Sequence, residues 1–158
     1  MVTFSHTVLV NDERADHPEI KIDQLWELLL HKAENPVSYV PSITGAEVIE
    51  RNGDEFVRRI VLRDAVTVRE RVTVEPKRQV IFTQLDNPDL TTITNGIGED
   101  EQGRLTFILT ATLSAAGIER SRRESGFIAE NDLLFYDTAH ATVNSVRLAA
   151  ALAEARHL

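Results

Sequence analysis

Cysteine is absent from this chain. Disulfides, thiolate metal sites and cysteine nucleophiles are excluded by that fact alone, and a thiol-free sequence fits a reducing, cytoplasmic compartment. Positive charge is in deficit, with 17 Lys and Arg against 25 Asp and Glu and a net charge of −8. Nucleic acid and anionic membrane surfaces are bound through an excess of Lys and Arg, so neither is expected as a partner. No apolar run approaches the roughly 20 residues that a membrane span requires, which predicts no membrane insertion. The opening MVTFSHTVLV alternates and has no basic stretch, so no secretory leader is expected. Apolar residues make up 42% and charged residues 27% of the 158 positions, a mixture that argues against a disordered chain. A chain of this length is expected to fold as one domain over residues 1–158 with a sizeable core.

The hydrophobic pattern divides the chain in two ways. TFSHTVLV alternates and reads as a first strand, and NDERADHPE reads as a polar loop. Asp23 looks like the N-cap of a helix over QLWELLLHKAE, on which Leu25, Leu28, Leu29 and Lys32 lie at helical spacing. Pro36 ends that helix. Six strands rich in Thr, Val and Ile then follow from Thr44 to Leu113, linked by short turns such as Asn52-Gly53 and Pro76-Lys77. SAAGIERSRRES reads as a break. From about Gly126 the period becomes helical, with Ile128, Phe135, Ala139, Thr142, Val146 and Ala150 on one stripe. The order β, α, six β, long α predicts an α+β, two-layer fold: a curved, seven-stranded antiparallel sheet wrapping the C-terminal helix.

That order resembles the START-like (SRPBCC) superfamily, whose helix-grip fold is shared by polyketide cyclases and Bet v 1-like proteins. The closer resemblance is to its AtaL-like family, carried by FSHTVLVN, QLWELLLHKAENPVSYVPSI, VRERVTVEPKRQVIFTQLD and the C-terminal helix. The resemblance implies a cavity between sheet and helix for a small hydrophobic molecule, with no cofactor. It carries no catalytic motif.

Within VTVRERVTVEP, Glu70 shares a strand face with Val66, Val68, Val72 and Val74. If Arg63 to Ala65 form a three-residue turn, Leu62 faces Val66 and Arg58 faces Glu70, so two inward charges meet. A two-residue turn would bring Arg59 opposite Glu70 instead. The pair is either a structural ion pair or part of a ligand site, and a partly desolvated Glu70 could act as a general base. If Ile97 faces Leu105, then Asn95 points inward opposite Phe107, making either a local bond beside a Gly96 bulge or a ligand contact. Asn131 and Asp132 border the helical stripe, where Asn131 and Phe135 face the expected cavity. The candidate ligand contacts are therefore Arg58, Glu70, Asn95, Phe107, Asn131 and Phe135. Trp26 is expected to pack in the core, and Tyr39, between two prolines, is a candidate gate.

The histidines at 6, 17, 31, 140 and 157 have no metal-ligand spacing, and no metal site is expected. Tyr136 and His140 fall on the flank of the stripe. RSRRES is a short basic patch, read as solvated. NGIGED has two glycines but lacks dinucleotide-loop spacing. Three functions are compatible with this reading, in this order: a binder of a small hydrophobic ligand; a cyclase- or dehydratase-like enzyme acting on a polyketide or aromatic substrate with Glu70 as acid/base; and a homodimeric interaction module.

Overall fold

The computed structural model of the chain describes residues 1–12 and 17–156. Residues 13–16 of the polar loop read over 11–19, and His157, lie outside the described residues. Strand β1 (Thr3–Leu9) precedes helix α1 (Ile22–Glu34), and a 3-10 turn at Pro36–Ser38 leads into the meander. The meander comprises β2 (Ile43–Asn52), β3 (Glu55–Leu62), β4 (Val66–Glu75), β5 (Gln79–Gln84), β6 (Leu90–Glu99) and β7 (Leu105–Leu113). Helices α2 (Ala115–Arg123) and α3 (Phe127–Ala155) close the chain. The seven strands form one antiparallel sheet in the order β1-β7-β6-β5-β4-β3-β2, with register shifts in β2 and β6 that mark bulges and bend the strands. This is the α+β helix-grip arrangement expected from the sequence.

Local turn chemistry sets the registers. Arg63 and Asp64 both take left-handed φ values of 52° and 57°, and the Ala65 N–H donates to Leu62 O. Two successive positive φ values make the primed turn that matches strand twist, and Ala65 is left as the extra residue. Leu62 therefore pairs with Val66, and Arg58 with Glu70, as the three-residue turn predicts. The hairpin between β6 and β7 is tighter than expected. Asp100 accepts from the backbone N–H groups of Gln102 and Arg104, so the strands pair as far as Glu99 with Leu105. Ile97 consequently faces Phe107, and Asn95 faces Leu109 rather than Phe107. A slip of two residues preserves the faces, and Asn95 still points inward.

One core joins the layers. Val72, Val80, Phe82, Phe107 and Leu109 from the sheet meet Phe135, Ala139, Val143, Val146 and Ala150 from α3, with Leu25, Trp26 and Leu29 from α1. Trp26 packs in this core, as expected. Three local readings are corrected. Helix α1 begins at Ile22, so Asp23 lies in its first turn and not at its cap. There its charge complements the helix N-terminus and pairs with Lys77 at 2.8 Å. The expected break at 114–125 is largely helix α2, capped by the Ser114 side chain accepting from the Gly117 N–H. The basic patch on α2 stays solvated, with the Arg120 and Arg122 side chains 42% and 71% exposed, while Arg120 also pairs with Asp89 and Glu124. Because α2 packs on the start of α3, with Arg120 over the Phe127 ring, Phe127 is buried there and Ile128 is 44% exposed.

The α2 contact gives a direct test of this architecture. A Cβ at Gly117 would stand 2.1 Å from the Asp89 carbonyl oxygen, a backbone atom that cannot swing away. Gly117→Ala is expected to destabilise the protein by about 1–3 kcal/mol, the usual cost of overpacking, read from urea denaturation midpoints. Stability equal to the parent protein would mean that α2 does not seat on the 85–89 loop.

Candidate functional site

Antiparallel pairing of β3 with β4 carries two opposite charges to the inner face. Arg58 Nε donates to Glu70 Oε1 at 2.8 Å, and Arg58 Nη2 lies 2.7 Å from the same oxygen. Arg58 and Glu70 are 4% and 2% exposed. The rest of each group is also satisfied. Arg58 Nη1 donates to the Ala33 carbonyl at the end of α1, its guanidinium lies 4.3 Å from the Phe82 ring centroid, and Gln84 Nε2 donates to Glu70 Oε2 at 2.6 Å. On the opposite face Arg59, Arg69 and Arg71 pair with Glu47, Asp86 and Glu55 in solvent-facing positions. Alternation along β3 and β4 separates the two sets.

A third buried charge enters from α1. Lys32 occupies the next position of the stripe begun by Leu25 and Leu29, and it is only 4% exposed. Its Nζ donates to Asn95 Oδ1 on β6 at 2.6 Å and lies 5.4 Å from the Phe82 ring centroid. Burial, reinforced by the neighbouring Arg58 charge and opposed by Glu70, pushes the Lys32 ammonium down from the usual 10.5 to about 7. Helical spacing groups Lys32 with the leucines and does not by itself mark it as a site residue. The signal was available: a lysine continuing an apolar stripe is either snorkelling or buried with a partner.

These groups line a cavity of about 180 Å³ between the sheet and α3. Among the described residues its charged lining is Lys32, Arg58 and Glu70. Ile60, Val68, Phe82, Leu109 and Phe135 supply apolar wall. Of the six candidate contacts, Arg58, Glu70, Asn95, Asn131 and Phe135 line this space. Phe107 does not. It is fully buried elsewhere in the core, because the tighter β6–β7 turn brings Leu109 opposite Asn95. Asn131 Nδ2 donates to the Phe127 carbonyl one turn back. Tyr39, read as a gate, is 4% exposed and does not line the cavity. Its hydroxyl lies 3.0 Å from His31 Nδ1. Ser42, Leu134 and Thr138 line both the cavity and an outer depression containing Pro41, Arg63 and Asp137, so they form the wall between the two. The exposed Tyr136 ring stacks beside His140 on the outer flank of α3.

The family model described as AtaL, acetylaranotin biosynthesis cluster protein L, matches residues 4–151. Solved structures similar to this fold include the Zhui aromatase/cyclase from Streptomyces sp. R1128, at 18% identity and a TM-score of 0.60, covering 94% of this chain and 93% of that one. The di-domain aromatase/cyclase StfQ from the steffimycin biosynthetic pathway aligns at 13% identity and a TM-score of 0.63, over 98% of this chain and 51% of that one. TTHA0849 from Thermus thermophilus aligns at 16% identity and a TM-score of 0.57, over 97% of both chains. The sequence has no significant match among curated proteins.

Two measurements test the buried charges. Arg58→Ala leaves Glu70 uncompensated on the inner face and is expected to cost about 3–5 kcal/mol in urea denaturation. Arg69→Ala, which breaks an exposed pair, is expected to cost far less. Joint replacement by Arg58→Met and Glu70→Leu should recover much of the Arg58 loss; equal losses at Arg58 and Arg69 would contradict the assignment of faces. The second test concerns pH. Lys32 holds its proton only to about pH 7 in the folded chain, against 10.5 unfolded. Between those values the unfolded chain binds the extra proton, so the Lys32 contribution to stability rises with pH, by up to about 1.4 kcal/mol per unit. Lys32→Met should remove that slope and be most stabilising at pH 7 and below. An identical pH dependence in both proteins would mean that Lys32 is solvated.

Proposed function

The chain belongs to the AtaL family, and from that premise and the charged, largely apolar cavity we propose that it binds a small hydrophobic molecule between the sheet and α3. The observation that carries this reading is the placement of Lys32, Arg58, Glu70 and Asn95 around space walled by Ile60, Phe82 and Leu109. Ligand pockets have this composition: apolar walls give affinity, and a few fixed polar groups orient the guest. The volume bounds its size. A cavity of about 150 Å³ accommodates benzene, so 180 Å³ suits a molecule of one or two rings. Similarity in fold to aromatase/cyclases is compatible with such a guest.

A second reading, cyclase-like catalysis on an aromatic or polyketide substrate, is favoured by one observation. The Lys32 amine exchanges its proton near pH 7, where an acid–base group is most effective. Both oxygens of Glu70 already accept hydrogen bonds from Arg58 and Gln84. Lys32 is therefore better placed than Glu70 to move a proton in that chemistry.

The binding reading is tested by filling the cavity. Leu109 is 2% exposed and lines it, and Leu109→Trp would place an indole in the guest's space. Native mass spectrometry of freshly purified protein is expected to find a bound small molecule, or calorimetry to find uptake of a bicyclic aromatic. Leu109→Trp, folded by circular dichroism, should lose it. Unchanged uptake by Leu109→Trp would place the guest outside this cavity.

A further inference from the structure

With Lys32 protonated, the buried charges do not balance. Lys32 and Arg58 are two cationic groups, and among the described residues Glu70 is the one carboxylate lining the cavity. Arg58 and Glu70 neutralise each other through direct contact at 2.7 Å. Among the described residues no carboxylate lies within ion-pair distance of Lys32, whose side-chain partner is the neutral Asn95 amide oxygen. An ammonium has three N–H donors, and one goes to Asn95. From the elements packed around Lys32, the charged groups are Arg58 on β3 and Glu70 on β4. Strands β5, β6 and β7 and helix α3 contribute Gln84, Asn95, Leu109 and Asn131, none of which titrates. A buried cation without a counter-ion is costly, and no described residue of the lining supplies one.

On the premise that the cavity binds a small apolar molecule, we infer that this ligand carries an acidic oxygen, a carboxylate or an ionised phenol or enol, which seats beside Lys32 as its missing counter-ion. The two sources share one chemistry, an oxyanion at the end of an apolar body. The apolar body occupies the wall formed by Ile60, Phe82 and Leu109, and the oxyanion completes the charge set of Lys32, Arg58 and Glu70. Binding is then coupled to the proton on Lys32. In the free protein the amine is largely neutral above about pH 7. An adjacent anion favours the charged form, so the complex holds Lys32 protonated. A carboxylate ligand, ionised beforehand, binds with net uptake of about one proton at pH 8. A phenol passes its own proton to the amine and binds with no net uptake.

The test uses 2-naphthoate, 2-naphthol and the uncharged 2-naphthamide as probes in isothermal titration calorimetry. Naphthoate is expected to bind at least about tenfold tighter than naphthamide, the factor that about 1.4 kcal/mol of ion pairing supplies. Its observed enthalpy at pH 8 should differ between phosphate and Tris by the proton taken up. Its affinity should be flat below pH 7 and fall above it, by up to about tenfold per pH unit. Naphthol is expected to bind with the red-shifted absorbance of the naphtholate and no buffer dependence. Lys32→Met should abolish the acid-over-amide preference while still binding naphthamide. Binding of naphthamide as tightly as naphthoate, or naphthoate binding without buffer dependence, overturns the acidic-ligand inference and leaves the binding reading standing. If none of the three probes binds at millimolar concentration, the binding reading fails together with it. The buffer comparison is made on the unaltered protein, so it decides the inference even if Lys32→Met does not fold.

Discussion

Charge on the inner face of the sheet can persist only where another charge answers it, and the pairing of Arg58 with Glu70 is that condition here. Either ion alone would be buried without compensation. Together they are held by a turn of two left-handed residues, Arg63 and Asp64, which fixes the register of β3 against β4. The pair then reaches outward in both directions. Arg58 ties the sheet to the end of α1 through the Ala33 carbonyl, and Glu70 ties β4 to β5 through Gln84. The helix that closes one side of the cavity is thus anchored to its floor by the same arginine that neutralises the carboxylate.

Lys32 depends on this arrangement. The Ala33 contact ties the end of α1 to the sheet, and Lys32, the residue before it, reaches Asn95 on β6. Burial and the Arg58 charge then lower its proton affinity. Among the described residues a lysine in that position has no ionic partner of its own, and this asymmetry distinguishes it from the paired Arg58 and Glu70. Among the described residues every buried side-chain nitrogen and oxygen has a hydrogen-bond partner. The imbalance is one of charge and not of hydrogen bonding, and it matters most where the dielectric is low.

The fold supports the site with few special devices. Bulges in β2 and β6 bend the sheet. Helix α2, seated on the loop after β5 through Gly117, covers Phe127 and sets where α3 starts. The stripe from Phe135 to Ala150 holds α3 over the sheet. Cavity volume comes from what the inner faces leave unfilled between Leu109, Phe82 and Phe135.

Alternation with a period of two assigned Arg58, Glu70 and Asn95 to the inner face from the sequence alone, and short turns made the antiparallel meander legible, because both depend on residues close together in the chain. Even the Arg58–Glu70 pairing followed from one local turn. Where local signals competed, the reading failed. Asp100 tightened a turn through its own side chain and moved Phe107 out of the site, and the cap at Ser114 turned an apparent loop into α2. The contact of Lys32 with Asn95 joins residues 63 positions apart, and no local pattern specifies it. It exists because α1 packs across strands that follow it much later in the chain, and the lowered proton affinity of Lys32 exists only because that packing excludes water. The sequence determined which side chains face inward; only the tertiary structure decided which of them meet, because meeting depends on the packing of whole elements and not on the period within one.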